Sequence, residues 1–135
     1  TDPAALPAAM VATLKHEFLI PQAALRLWAL APAYAGSDFA QSVSEDVKTF
    51  AGSLSLPYCG VNAGFEAVGW LEDPASVASV AMIPLRQGPV SEGGVFGLLV
   101  LGSPDPTRYA AEMGTDFLMR IGELAGAALW RLRPS

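Results

Sequence analysis

Two apolar stretches near the middle of the chain decide the fold: SVASVAMIPL, Ser76 to Leu85, and GVFGLLVLG, Gly94 to Gly102. Each has the composition of a strand, and the RQGPVSEGG between them supplies the glycines and proline of a hairpin longer than the two-residue kind. The second stretch is apolar at nearly every residue, which indicates burial on both faces. The pair therefore predicts an antiparallel sheet in which the second stretch is a central strand.

Two further strands are predicted on the N-terminal side of this pair. The segment FLIPQAALRLWAL, Phe18 to Leu30, suits a strand, although Pro21 requires an edge or a bulge. Successive side chains of a strand point to opposite sides, so Arg26 and Trp28 are expected on one face. The sequence YCGV, Tyr58 to Val61, is a shorter candidate.

Helices are predicted before, between and after these strands. The first ends near His16, where a partly positive ring suits the negative end of the helix dipole. The second follows a cap at Ser37 or Asp38 and stops at Pro57. Because helices and strands do not alternate as parallel βαβ units, the predicted class is α+β with an antiparallel sheet.

The last helix is predicted to begin near Thr115. Its apolar stripe consists of Phe117, Ile121, Leu124, Ala125, Ala128 and Leu132. Gly122 and Gly126 leave a flat strip where another element can come close, either within the fold or across a dimer. Trp130, near the end of the helix, is expected to touch a partner or a segment outside the chain.

The composition of the chain excludes several classes of function. The 135 residues are about the size of one domain, and 52% of them are hydrophobic. A net charge of −5 repels nucleic acid and anionic lipid, and the longest uncharged stretch is broken by glycines and a proline, so no membrane span is predicted. Cys59 stands alone, which precludes an internal disulfide and suits a reducing cytoplasm.

Five motifs carry a family resemblance: ALRLW, PYCG, SVAMIPLR, GLLVLGSPDPTRY and MGTDFL, spread from Ala24 to Leu118. Together they resemble a bacterial GAF-like family of unknown function, and the chain's C-terminal part resembles the end of GAF domains. The resemblance implies a GAF/PAS-like antiparallel sheet of five or six strands flanked by helices, forming a single domain over residues 1–135. In that family a helical segment precedes the GAF-like part, so we expect this chain to be a fragment that lacks it.

GAF domains in general bind small molecules and pass the ligand state to neighbours through their terminal helices. Three specialised types fit poorly. The cyclic-nucleotide type carries an Asn-Lys-Phe-Asp-Glu series that is not found here, and the sulfoxide-reducing type needs several cysteines. The bilin type attaches its chromophore through a cysteine, but Cys59 lies outside the usual attachment context. The resemblance thus implies no particular cofactor and no activity.

Residues able to perform catalysis are few. His16 is the one histidine, and no metal-ligand spacing occurs. A nucleophile and base formed by Cys59 and His16 lacks a third orienting group, whereas a free cysteine is ordinarily a small buried residue. Ser103 is not in a G-x-S-x-G motif, so the polar stretch around Asp105 is interpreted as a connector between a strand and the last helix. We expect no catalytic and no metal-binding residues.

A small-molecule pocket is the more promising prediction. Aromatic walls with a few convergent polar groups are typical of such pockets, and arginines suit an anionic ligand. The candidate residues are Arg26, Trp28, Cys59, Trp70 and Arg86. The alternative, that both tryptophans fill the core and the arginines pair with acidic residues, stays open.

These observations favour a non-catalytic, cytoplasmic sensor or regulatory domain that binds an unidentified small molecule and relays its state through the terminal helices. The expected partner is a second copy of the chain or another segment of the same protein, with no nucleic acid and no membrane. The alternative is a protein-interaction or dimerisation module with a vestigial pocket. An enzyme that uses Cys59 is the least favoured.

Overall fold

The computed structural model describes residues 6–17, 20–28, 44–54, 57–61, 65–85, 95–106, 108–109 and 116–129. The helices in this part are α1 (Leu6–Glu17), α2 (Glu45–Ser53) and α3 (Asp116–Leu129). The strands are β1 (Gln22–Leu27), β2 (Tyr58–Val61), β3 (Ser79–Leu85) and β4 (Gly97–Ser103). Two short 3₁₀ helices, Glu66–Trp70 and Pro74–Ser76, lie between β2 and β3.

The sheet is antiparallel throughout the described strands and has the order β1-β4-β3-β2. Every residue of β4 is buried, which confirms its predicted central position. The α+β class is confirmed as well. The described part contains four strands, against the five or six that the resemblance implies, and segments 29–43 and 86–94 lie outside the described residues.

Helix α2 begins later than the sequence predicts. Its N-cap is Ser44, whose side-chain oxygen accepts a hydrogen bond from the Val47 N–H at 3.1 Å. The predicted caps, Ser37 and Asp38, lie outside the described residues. Acidic residues fill the first turn of the helix, where they suit its positive end, and the helix ends at Ser53, before Pro57 is reached.

The two faces of the sheet are covered by different helices. The α1/α3 face is packed by Leu14, Leu118, Ile121, Ala125 and Leu129. The α2 face is packed by Val47 and Ala51 of α2 and by Ala67, Val68, Leu71 and Val77 between β2 and β3. Alternation along the strands divides their side chains between these two layers. The rows across the sheet show the division: Ala23, Leu101, Ala81 and Cys59 face α1 and α3, whereas Ala24, Val100, Met82 and Tyr58 face α2.

Helix α3 presents a different stripe from the predicted one. Ile121 and Ala125 are buried as expected, but Leu124 is 65% exposed, so its assignment to the core was wrong. At 100° per residue, Leu124 lies about 120° around the helix from Leu118, which is fully buried. The glycine strip faces the sheet, because a Cβ at Gly122 would lie 2.7 Å from the Ile83 Cγ2 atom.

Gly97 allows the α1/α3 face to close over the central strand. It pairs with Leu27 on one side and Leu85 on the other, and both leucines are fully buried. A Cβ at this position would collide with the Leu27 side chain and would lie 3.1 Å from the Arg26 carbonyl oxygen. Since the Arg26 carbonyl belongs to the sheet backbone, the collision cannot be relieved by a rotamer change alone.

Gly97→Ala is expected to lower the free energy of unfolding by about 1–3 kcal/mol, the cost of overpacking a closed core. The matched control is Gly52→Ala in α2, where nothing lies within 4 Å of the added carbon. In that helix the change is expected to be neutral or to stabilise by up to about 1 kcal/mol. Urea denaturation of the two variants measures the difference, and equal stabilities would contradict the packing argument.

Candidate functional site

The candidate site is built from alternate side chains of β1. Gln22, Ala24 and Arg26 lie on the α2 face, and Trp28, directly after the strand, continues the series. The sequence prediction that Arg26 and Trp28 share a face is therefore confirmed. Both side chains are half-buried.

Arg26 and Trp70 are in contact across this face. The Arg26 guanidinium carbon lies 5.4 Å from the centroid of the Trp70 ring, a cation–π distance that contributes about 0.5–1 kcal/mol at a partly exposed site. The Arg26 Nη1 group also donates a hydrogen bond to the Leu25 carbonyl oxygen at 3.1 Å. Trp70 reaches this position because it is the last residue of a 3₁₀ helix that packs against β4.

The position of Trp28 is fixed by hydrogen bonds from its indole and backbone N–H groups. Its indole Nε1–H donates to the Val95 carbonyl oxygen at 3.0 Å, and its backbone N–H donates to the Phe96 carbonyl oxygen at 2.8 Å. The indole ring packs against the hydrophobic cluster of the α2 face. With the N–H bound to the backbone, the ring itself is the part of Trp28 that a ligand can contact.

Three further half-buried aromatic side chains on this face were missed by the sequence analysis. The Phe65 ring centroid lies 5.9 Å from that of Phe50 and 5.1 Å from that of Tyr58, the second pair in an edge-to-face arrangement. Gly60, on the same face of β2, makes room for the tyrosine ring, since a Cβ there would lie 2.6 Å from the Tyr58 hydroxyl. In the sequence YCGV, the placing of Tyr58 two residues before Gly60 was the signal that could have indicated this aromatic cluster.

Cys59 is separated from these residues by the sheet. It lies on the α1/α3 face, is 8% exposed, and has a thiol pKa that burial raises. Arg86 lies outside the described residues. The structure thus brings Arg26, Trp28 and Trp70 to one face and places Cys59 on the other.

Cys59 and His16 also occupy different environments. The His16 side chain is 87% exposed in the last turn of α1, which confirms its predicted place at the end of a helix. Burial of the thiol disfavours the thiolate, the reactive form of cysteine. Within the described residues, no group of three or more His, Cys, Asp or Glu side chains could hold a metal ion.

The polar stretch after β4 is a connector held by two serines. The Ser79 hydroxyl donates to the Asp105 carbonyl oxygen at 2.6 Å and accepts from the Tyr109 N–H at 3.3 Å. The Ser103 hydroxyl accepts from the Asp105 N–H at 3.1 Å. Both serines are buried. The stretch is therefore a connector, as predicted, and the Ser103 hydroxyl shapes its turn by binding the Asp105 backbone N–H.

Solved structures of similar fold identify the fold of the chain. A red/green cyanobacteriochrome in its green light-absorbing state has a TM-score of 0.58 at 16% identity, with 97% of this chain and 96% of that chain covered. A far-red cyanobacteriochrome photoreceptor gives 0.57 at 14% identity, covering 94% and 85%. The GAF domain of a putative sensor histidine kinase from Pseudomonas syringae pv. tomato gives 0.52 at 19% identity, covering 97% and 77%. The protein has a GAF-like fold.

Sequence comparison then gives the family. The model of the family described as "Protein of unknown function, DUF484" matches residues 6–132, and the chain belongs to that family. The predicted resemblance to a GAF-like family of unknown function is confirmed. No curated protein matches the chain. Among the described residues, no helix is long and apolar enough to cross a membrane.

Alkaline pH is expected to destabilise the fold through two groups on the α1/α3 face. Burial raises the pKa of the Cys59 thiol and that of the Tyr109 hydroxyl above their ordinary values, the second shift being partly offset by the neighbouring Arg108. A raised pKa means that the folded state keeps its proton longer than the unfolded state, so stability is lost as pH rises above about 9.

Urea denaturation between pH 8 and pH 11 measures this loss. Cys59→Ala should remove the part that begins near the thiol pKa and should leave the later, tyrosine part. An identical pH dependence in the parent and the variant would contradict the assignment.

Proposed function

We propose that this domain is a non-catalytic sensor that binds a small molecule at the end of the α2 face formed by Arg26, Trp28 and Trp70, and relays its state through the terminal helices. The observation that carries the proposal is the convergence of a guanidinium and two indole rings, all half-buried, on one face of a sheet whose other face is closed by helices. The pattern of aromatic walls with few polar groups is typical of small-molecule sites.

The difference between the two faces supports this location. Among the residues that the structure describes, the partly buried hydrophobic residues packed on the α2 face are Trp28, Phe50, Tyr58, Phe65, Trp70 and Val95, whereas those on the α1/α3 face are Met10 and Val11. Aromatic side chains at such intermediate burial offer flat apolar surface to a ligand. The α2 face is therefore the side on which a planar molecule finds contact area.

The side chains present favour a planar ligand that carries a negative charge. The indole and phenyl rings suit stacking, and a guanidinium offers several donors in a geometry that matches carboxylate or phosphate. Arg26 is already in contact with Trp70, so binding would retain the cation near the ring while adding the charged group of the ligand.

The solved structures of similar fold support a sensory role by analogy. They include a photoreceptor and the GAF domain of a putative sensor histidine kinase, although fold similarity alone does not transfer a ligand. The thiol of Cys59 lies across the sheet from Arg26 and Trp70, which favours reversible binding over covalent attachment. The buried thiol and the exposed imidazole support a non-catalytic role. The lone cysteine favours the cytoplasm as its location.

A thermal-shift screen of aromatic carboxylates and nucleoside phosphates tests the proposal. At least one compound is expected to raise the melting temperature and to change tryptophan fluorescence. Arg26→Gln should weaken its binding about tenfold or more, the effect of losing a charge-assisted hydrogen bond, and Trp70→Leu should also weaken it. Arg120→Gln, the same change at an exposed residue of α3, is the control and should bind as the parent does.

Two outcomes would contradict the proposed function. The first is the absence of stabilisation by any compound in the library. The second is a compound whose affinity is unchanged by Arg26→Gln and Trp70→Leu, because its site would then lie elsewhere on the protein.

A second candidate function, a dimerisation module, is favoured by one observation. Leu124 is 65% exposed on the outer side of α3, between the exposed Glu123 and the buried Ala125. The glycine strip that first suggested a dimer is instead occupied by the sheet at Gly122. Leu124 therefore replaces Gly122 as the residue through which self-association is tested.

Leu124→Lys is expected to convert a dimer into a monomer in light scattering without loss of stability, since the side chain contributes little to the core of the single chain. Arg120→Leu, at another exposed position of α3, is the control and should not dissociate the dimer. A protein that is monomeric before any substitution would remove the dimerisation hypothesis.

A further inference from the structure

Gln22 joins two parts of the chain that lie far apart in sequence. Its Nε2 group donates to the Asp73 carbonyl oxygen at 2.9 Å and to the Ser76 hydroxyl at 3.0 Å, and its Oε1 atom accepts from the Asp73 N–H at 2.8 Å. The residue is 9% exposed. A buried amide with both its oxygen and its nitrogen paired fixes position strongly, because breaking the contact leaves buried polar groups without partners.

The segment that Gln22 holds also forms part of the candidate site. We call residues Glu66 to Ser76 the strap. Its Ala67, Val68 and Leu71 side chains are buried on the α2 face, and Trp70 contacts Arg26. The strap is thus attached to β1 at two points of the same face, near Arg26 and at Gln22, which lie four positions apart in the strand.

The residues that precede Gln22 contact the end of α1. The Ile20 N–H donates to the Lys15 carbonyl oxygen at 3.1 Å, so the residues just before β1 are bonded to the last turn of α1. The Lys15 ammonium also lies 3.5 Å from the Glu72 carboxylate of the strap. Helix α1 packs on the opposite face of the sheet, where Leu14 and Ile20 are buried. Gln22 therefore lies where the strap, β1 and the exit of α1 meet.

We propose that Gln22 is a positioning residue that couples the strap on the α2 face to helix α1 on the opposite face, around the β1 edge of the sheet. A displacement of the strap at Trp70 reaches Asp73 through Leu71 and Glu72, which lie between the two 3₁₀ helices, and the Gln22 amide transmits it to the start of β1 and the end of α1. This coupling deepens the proposed function, because it supplies the path from the ligand site to a terminal helix. The contacts that carry it are those of Gln22 with Asp73 and Ser76.

Hydrogen exchange of α1 backbone amides tests the coupling in a double-mutant cycle, with β4 amides as the reference for global unfolding. Trp70→Leu perturbs the strap at its contact with Arg26 and should speed α1 exchange about twofold to fivefold, matching the loss of a cation–π contact. Gln22→Leu alone should speed it about tenfold, as expected for the loss of buried hydrogen bonds. In the Gln22→Leu background, Trp70→Leu should have a much smaller effect on α1, because only the exposed Lys15–Glu72 ion pair still joins the strap to the helix.

Two controls keep the experiment decisive. Ile121→Val perturbs α1 from its own face, through α3, and should change α1 exchange equally in both backgrounds, since that path does not pass through Gln22. Ser76→Ala removes a single partner of the Gln22 amide and serves where Gln22→Leu fails to fold. It should weaken, without abolishing, the effect of Trp70→Leu on α1.

The coupling would be overturned if Trp70→Leu left α1 exchange unchanged in the parent, or changed it equally with and without Gln22. Neither result depends on finding a ligand. Coupling without any bound compound in the thermal-shift screen would leave this inference standing and count against the proposed function. Binding of a compound without coupling between Trp70 and α1 would overturn this inference and leave the proposed ligand site standing.

Discussion

The complete burial of β4 is the constraint on which the rest of the structure depends. A strand with apolar side chains on both faces requires a cover on each side. Helices α1 and α3 provide one cover, and α2 together with the strap provides the other. Glycines adjust the fit on both sides: Gly97 lets two leucines close over β4 on one face. On the other face, Gly102 leaves room for Leu71 and Val77 of the chain between β2 and β3.

The two covers differ in a way that separates stability from function. Among the described residues, the α1 and α3 side chains that cover their face are aliphatic, they pack beside the buried Phe96 and Tyr109, and their removal would leave a cavity. The α2 cover includes aromatic side chains at intermediate burial and one guanidinium stacked on an indole. Such side chains tolerate rearrangement because part of their surface already meets solvent, whereas a fully buried leucine does not. The chemistry of a binding site and the chemistry of a rigid core are therefore assigned to opposite faces of one sheet.

Local patterns predicted what depends on alternation and apolar content, and missed what depends on contact between distant segments. The alternation along β1 correctly placed Arg26 and Trp28 together, and continuous apolarity correctly placed β4 in the centre. The same alternation could not decide the face of Cys59, because that requires the register of β2 on β3 and of β3 on β4. Leu124 was misplaced because helical spacing fits more than one stripe on an apolar helix. Arg86 lies outside the described residues, so its place in the site stays a prediction.

Gln22 shows why such contacts determine how the domain could work. In the sequence QAALRL it stands at the start of an apolar strand, and nothing local reveals that its amide is bound to residues 51 and 54 positions away. A strand-to-strap contact of this kind has a consequence that aliphatic packing lacks. Apolar contacts are non-directional and accommodate small shifts, whereas a paired amide fixes distance and orientation on both sides. A movement of the strap therefore either breaks the buried hydrogen bonds or moves the end of α1 with it, and the second response costs less because α1 ends at the surface, with His16 and Glu17 exposed.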